Sequence, residues 1–276
     1  MGSFSVLNNI PAVNGQNQLN FNNVNLAKTL NRLSSGKRIN SGADDAAGLQ
    51  IADSLRGNVM SLNQSIRNAA DGISVLQIAD GALEQITGML HRMTTLATQA
   101  ATGTVASQTG KKALNEEFAA LASEITRLGS TVNFNGQKLF NTSGGFNAGI
   151  FVGDMANPDS YINIKIEQVN STQVCVSGNI ATSSTAATML TNLTAGLTQV
   201  ATMRGSLGAT MNRLQSTINV LSTQSQNTLA AESAVRDANI AEEITNMTKY
   251  QILAQTGIAA LAQANANSQN VLGLLR

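Results

Sequence analysis

The sequence predicts a mainly α protein: a long antiparallel helical rod or coiled coil built from both halves of the chain, with a small β-hairpin insert. Three observations carry this. Apolar residues from Leu49 to Ala100 recur at steps of three and four, with a doubled three at Ile73–Leu76–Ala79. A second stripe from Leu193 to Leu221 alternates in the same way, with Arg204 as its one misfit. Between the two stripes, Ile162, Ile164 and Ile166 alternate at period two. Three-four spacing lines up one side of an α-helix, and period two lines up one face of a strand. A helix from about Asp44 to Ala101 would run roughly 87 Å, too long to bury its stripe without partners along its length. The doubled three resembles a stammer, a local overwinding of the seam.

Composition narrows the rest. A chain of 276 residues holds one or two domains. It is 42% hydrophobic but only 3% aromatic and 12% charged, with no Trp. Its core is therefore built from Leu, Ile, Val, Met and Ala, which suits helix bundles. Net charge is +1 and dispersed, so no basic stripe with stacking aromatics marks a nucleic-acid partner. One cysteine, Cys175, excludes a disulfide within the chain. No apolar run has the length of a membrane span, and Met1 to Gly15 lacks the pattern of a cleavable signal. Composition alone points to the cytoplasm.

Taken in order, residues 1–43 are rich in Asn, and Pro11 and Gly15 break up the start. A helix is expected from about Asn17, with Leu26, Leu30 and Leu33 on one face and Gly36 as its C-terminal cap. Residues 37–43 are a connector. Asp44 and Asp45 suit a helix N-terminus by capping free N–H groups and opposing the dipole. Gly72, Gly81 and Gly88 fall within the long helix, at a cost of about 1 kcal/mol each against Ala. They mark either close helix contact or plain surface.

A further helix is expected from about Lys111 to Leu128, with Leu114, Phe118, Leu121 and Ile125 on one face and Gly129 ending it. Residues 131–178 read as a few strands or hairpins. Asn133-Phe134-Asn135-Gly136 is a turn signal, Pro158 sits in a turn, and Val174 and Val176 continue the strand rhythm. Helical period returns at about Thr185, weakens through Ser222–Asp237, and resumes at Ile240, Ile244, Met247, Ala254, Ile258 and Leu261. Antiparallel pairing of the two rods would bring the chain ends together, each presenting an apolar stripe with no local core.

Catalytic constellations are lacking. His91 is the only histidine, beside Leu90 on the rod, which suits a surface or packing role. One His and one Cys exclude the usual structural zinc sets. No phosphate-cradling glycine loop occurs, and Gly144-Gly145 suits a hairpin turn. Cys175 reads as a small buried strand residue, with an intermolecular disulfide as the alternative. The triplets beginning at Asn141, Asn170 and Asn192 fit the glycosylation acceptor pattern, which chance produces in a chain this rich in Asn, Ser and Thr.

Two long motifs at opposite ends carry a resemblance. Leu33-Ser34-Ser35-Gly36-Lys37-Arg38-Ile39-Asn40-Ser41, with Asp44-Asp45-Ala46-Ala47-Gly48, resembles the N-terminal signature of bacterial flagellin. So do Asn68-Ala69-Ala70-Asp71-Gly72-Ile73-Ser74 and Asn133-Phe134-Asn135-Gly136. Gln251-Ile252-Leu253-Ala254-Gln255, Leu261-Ala262-Gln263-Ala264-Asn265 and Gln269-Asn270-Val271-Leu272-Gly273-Leu274-Leu275-Arg276 resemble its C-terminal signature. Pro11 and Gly15 depart from the family's helical start, and Cys175 is unusual for an extracellular filament subunit.

The resemblance implies a minimal flagellin, because the space between Gly136 and Leu190 holds only a hairpin region. It implies a terminal-helix domain of 1–43 plus 236–276, and a rod domain of 44–235 with its β-hairpin region at about 131–178. It implies a secreted subunit that polymerises with itself into the extracellular flagellar filament, after export through the flagellar type III channel. That overturns the cytoplasmic expectation. Polymerisation would run through the terminal helices: Leu26, Leu30, Leu33, Ile240, Ile244, Met247, Ile258, Leu261, Val271, Leu272, Leu274 and Leu275. Implied partners are an export chaperone shielding the C-terminal helix, and the hook-junction and cap proteins. Arg92, Leu96 and Glu117 match positions that contact the flagellin-sensing Toll-like receptor, although Leu121 stands where the family has a basic residue. No cofactor, metal, catalytic residue, nucleic acid or membrane partner is implied. Two rivals share the periodicity: a hook–filament junction protein, against which the Val271–Arg276 ending argues, and a secreted coiled-coil adhesin or effector.

Overall fold

The computed structural model describes residues 9–102, 108–140, 145–153, 160–174 and 176–274, without the side chains of 268 and 270–274. Five helices and two hairpins follow in order: α1 Ile10–Ser35, α2 Ala46–Ala101, α3 Gln108–Thr131, β1 Asn133–Phe134, β2 Gln137–Lys138, β3 Phe146–Phe151, β4 Tyr161–Ile166, α4 Ser183–Arg236 and α5 Ile240–Leu274. The architecture is mainly α with small antiparallel hairpins, as the periodicity predicts. The chain divides into two compact units, Met1–Gly57 with Asn227–Arg276, and Asn58–Gln226.

The second unit holds the main core. Within it α2 and α4 run antiparallel: Asn63 meets Ser225, Gly72 meets Leu214, and Asp80 meets Arg204. From Leu62 to Met93 one run of buried positions in α2 steps Leu62, Ser65, Ala69, Gly72, Leu76, Ala79, Leu83, Ile86, Leu90 and Met93, alternating three and four, with Val75 buried beside it. The doubled three at Ile73–Ala79 therefore disappears. Gly72, rather than Ile73, occupies the seam, because Ile150, Ile164 and Leu214 crowd that place: an added Cβ would meet them at 3.2–3.4 Å. Gly81 and Gly88 face open space. The seam of α4 follows the same rule. Gly196 and Met203 are buried, while Leu197 and Arg204 flank them half-exposed. Arg204 is thus no misfit. Its guanidinium forks onto Asp80, Nε to Oδ1 at 2.8 Å and Nη2 to Oδ2 at 3.2 Å.

The remaining elements cover this pair. Helix α3 buries Phe118 and Ile125. It continues past Gly129 to Thr131, because Gly129 is where the Val169 carbonyl oxygen presses against the helix and no Cβ fits. Asn135 at φ 48° and Gly136 at φ 79° form the turn of β1–β2, the positive-φ pair that a two-residue hairpin requires. Strand β4 buries Ile162, Ile164 and Ile166 and exposes the residues between them. Ser65 Oγ and Asn68 Nδ2 of α2 donate to the Gly153 and Phe151 carbonyls at 3.1 and 3.2 Å, fastening β3 down. Val174 and Val176 are buried but lie outside any strand. Val174 N–H closes a turn onto Asn170 O at 3.0 Å, and the Val174 carbonyl packs on Gly196. Helix α4 starts at Ser183 and runs on to Arg236, although its apolar pattern weakens after Leu221. Pro158, Asn141, Gly144 and Cys175 lie outside the described residues.

In the first unit, α1 pairs with α5. The helix starts at Ile10, not near Asn17. Pro11 falls in the first turn, where its missing N–H costs nothing, and Asn9 caps it by accepting from Ala12 N at 3.2 Å. Gly36, at φ 69°, ends α1. The two connectors are bonded to each other: Arg38 N donates to Arg236 O at 2.7 Å, and Ala238 N donates to Gly36 O at 3.0 Å. Asp45 caps α2 by accepting from Gly48 N at 2.9 Å. Asp44 serves the connector instead, accepting from Asn40 N, Ser41 N and Ser41 Oγ.

Candidate self-association surface

The seam between α1 and α5 interleaves large side chains with small and polar residues. Along α1 the less exposed positions step Gly15, Leu19, Asn22, Leu26, Thr29, Leu33; along α5 they step Glu243, Met247, Tyr250, Ala254, Gly257, Leu261. The pairing is antiparallel and reciprocal. An added Cβ at Gly15 would stand 3.0 Å from Leu261 Cδ2, and one at Gly257 would stand 3.3 Å from Leu19 Cδ1. Each leucine packs against the glycine opposite, so the backbones approach closely. Gly15 does not break the helix; it is part of the joint.

This seam leaves a further set of large apolar side chains outside. Among the described side chains, α1 buries only Asn22 and Thr29, and α5 only Glu243. Leu30 is 44% exposed, Ile244 46% and Ile258 60%. Ile10, Val13, Phe21, Val24, Ile240, Ile252 and Leu253 are exposed as well. Of the residues expected to drive polymerisation, Leu26, Leu33, Met247 and Leu261 are half-buried between α1 and α5. Leu30, Ile240, Ile244 and Ile258 face outward. Val271, Leu272 and Leu274 continue α5, and Leu275 lies beyond the described residues.

The receptor candidates separate. Leu96 is 1% exposed and belongs to the main core, so it offers no surface. Arg92 and Glu117 are both exposed and joined across α2 and α3 by a 2.7 Å hydrogen bond from Nε to Oε1. His91 is exposed. Among the described residues, no cluster of His, Cys, Asp and Glu could hold a metal ion, and no helix is long and apolar enough to cross a membrane.

Comparison with known proteins decides the family. The model of the bacterial flagellin N-terminal helical region matches residues 6–144, and that of the bacterial flagellin C-terminal helical region matches residues 190–275. The chain belongs to the bacterial flagellin family. It is a structural filament subunit of the bacterial flagellum.

Flagellin of Halalkalibacterium halodurans is 38% identical, over 97% of this chain and 98% of that protein. Flagellin of Bacillus subtilis is 37% identical over the same shares. Flagellin FlaB1 of Treponema pallidum is 34% identical, again over 97% and 98%. The crystal structure of Bacillus cereus flagellin superposes with a TM-score of 0.50 at 29% identity, covering 60% of this chain and 94% of that one. A structure named for a flagellar hook-associated protein of Vibrio parahaemolyticus gives a TM-score of 0.59 at 12% identity, over 70% of this chain and all of that one. At that identity it shows a shared fold alone. The near-complete coverage of flagellin relatives fits the minimal form.

Proposed function

We propose that this subunit polymerises through the outer faces of α1 and α5, with 1–43 plus 236–276 as its terminal-helix domain and 44–235 as its rod domain. One observation carries the proposal: among the described side chains the α1–α5 pair fully buries only Asn22, Thr29 and Glu243 and leaves Leu30, Ile244 and Ile258 on the outside. Exposed apolar side chains repeated along two paired helices favour association with a like surface. A neighbouring subunit supplies that surface in a helical array.

The subunit works outside the cell as part of the filament, reached through the flagellar type III channel and with no catalytic chemistry of its own. An export chaperone covers α5 before assembly, and the hook-junction and cap proteins are further partners. Recognition by the flagellin-sensing Toll-like receptor rests on Arg92 and Glu117. A reporter assay in cells expressing that receptor should respond to monomer, and silence at saturating monomer argues against that part.

Seeded polymerisation tests the proposal. Purified chain mixed with short filament seeds should grow filaments visible by electron microscopy. Ile244→Asn with Ile258→Asn should keep its helical content and fail to extend seeds. A soluble monomer or dimer that never extends seeds would instead support the adhesin or effector reading.

A further inference from the structure

The α1–α5 pair carries two apolar surfaces that differ in place and in shape. At about 100° per residue, Ile10, Val13, Phe21 and Val24 fall on the side of α1 that faces away from α5, opposite the seam positions Leu19, Asn22, Leu26 and Thr29. Each of the four is more than half exposed. They make a convex ridge along a single helix, with Phe21 as its largest side chain and Lys28 at its end.

The second surface lies between the helices. The same periodicity sets Leu30 of α1 and Ile240, Ile244 and Ile258 of α5 beside the seam, and in an antiparallel pair they fall on one side of it. All four are exposed, and the half-buried Leu26 and Met247 lie on the floor between them. Arg32, Glu242 and Lys249 fall on the other side of the seam, which leaves the walls of this groove uncharged.

A ridge packed on a second ridge would leave both grooves open, whereas a ridge in a groove covers both surfaces at once. The ridge cannot enter its own groove, because α1 already forms one wall of it and the ridge points away. The occupant is therefore a second copy of the chain, as a filament subunit requires. We infer that the α1 ridge of one subunit seats in the α1–α5 groove of the next. Such a head-to-tail contact leaves a free ridge at one end of an assembly and a free groove at the other, so it propagates instead of closing into a symmetric pair. This inference rests on the polymerisation proposed above and adds which face meets which.

The test uses the full chain with Cys175→Ser, so that introduced thiols are the only ones. Phe21→Cys marks the ridge; Ile244→Cys and Ile258→Cys mark the groove. Seeded filaments are treated with a short bis-maleimide and run on a denaturing gel. Phe21→Cys combined with Ile244→Cys or with Ile258→Cys should give a ladder of covalent multimers, while each single variant stays monomeric. Dimers from any single variant, or no ladder from filaments of either combination, overturn the ridge-in-groove contact and leave the polymerisation proposal standing. A cryo-electron microscopy map of unsubstituted filaments reads the same contact without any substitution. There the Phe21 ring should lie within about 4.5 Å of Ile244 or Ile258 of the neighbouring subunit, and a ring that meets no groove residue overturns the contact. Failure of the unsubstituted chain to extend seeds overturns both proposals.

Discussion

Gly15 and Leu261 face each other across 246 residues of sequence, with Leu261 Cδ2 standing 3.0 Å from where a Cβ on Gly15 would sit. The atom in the way is the end of a flexible side chain, which can shift. Gly15→Ala should therefore be close to neutral, since about 1 kcal/mol of helix propensity offsets the tightness. Gly15→Phe cannot be absorbed. It should part α1 from α5 and abolish seeded growth, while the thermal transition of the rod stays where it was. Calorimetry and seeded growth on the two variants check this.

Gly129 is the opposite case. The obstacle there is backbone, the Val169 carbonyl. Gly129→Ala should destabilise the protein by about 1–3 kcal/mol through forced displacement of that segment. Gly81→Ala, at an open helical position, should stabilise by about 0.5–1 kcal/mol. Urea unfolding followed by circular dichroism should move the two midpoints in opposite directions.

Leu96 and Arg92 lie on the same helix, four residues apart, with different fates. Leu96→Ala should cost about 2–5 kcal/mol, as large-to-small changes in a packed core do. Arg92→Ala breaks an exposed ion pair and should cost within about 1 kcal/mol. Any receptor defect of Arg92→Ala or Glu117→Ala can then be assigned to contact, whereas one in Leu96→Ala reflects a damaged core. Melting curves recorded beside the reporter assay distinguish the two.

Asp44 gives a pH dependence with a defined sign. Its carboxyl is held below the usual carboxylate range, first by the Ser41 N–H, with help from the Asn40 N–H and the Ser41 hydroxyl. Its folded value is depressed, so its contribution is complete above the ordinary carboxylate value and fades as pH falls through the depressed one. Asp44→Asn should unfold at lower urea than the unsubstituted chain at neutral pH. The gap should close as pH drops below about 4. A gap of constant size across that range would remove the charge from the explanation.

The sequence makes the elements legible and misplaces the seams, for one physical reason. Hydrophobic spacing selects the largest apolar residues: Ile66, Ile73, Leu197, Leu30, Ile244, Ile258. The structure covers the residue one place before each more fully, burying Ser65, Gly72, Gly196, Thr29 and Glu243 and half-burying Gly257. Close approach of two backbones rewards a missing or short side chain, and no hydropathy count registers that. In the second unit, Ile66, Ile73 and Leu197 are still packed against the core from the side. In the first unit Leu30, Ile244 and Ile258 have no such cover. That contrast is what makes the outer face of α1 and α5 the candidate surface. The start of α1 was hidden for a related reason, since Pro11 and Gly15 are disfavoured inside helices in general yet suited to a first turn and a tight joint here.

On the proposed function, α1 and α5 complete their burial only in the polymer. Their seam buries no large apolar side chain among the described residues, so opening the pair in the monomer costs little free energy. Amide hydrogen exchange on monomer and on filament measures this directly. Exchange should be fast along both helices in monomer, slow along them in filament, and slow around Leu83–Met93 of the main core in both. Equal protection of α1 and α5 in the two states would contradict it.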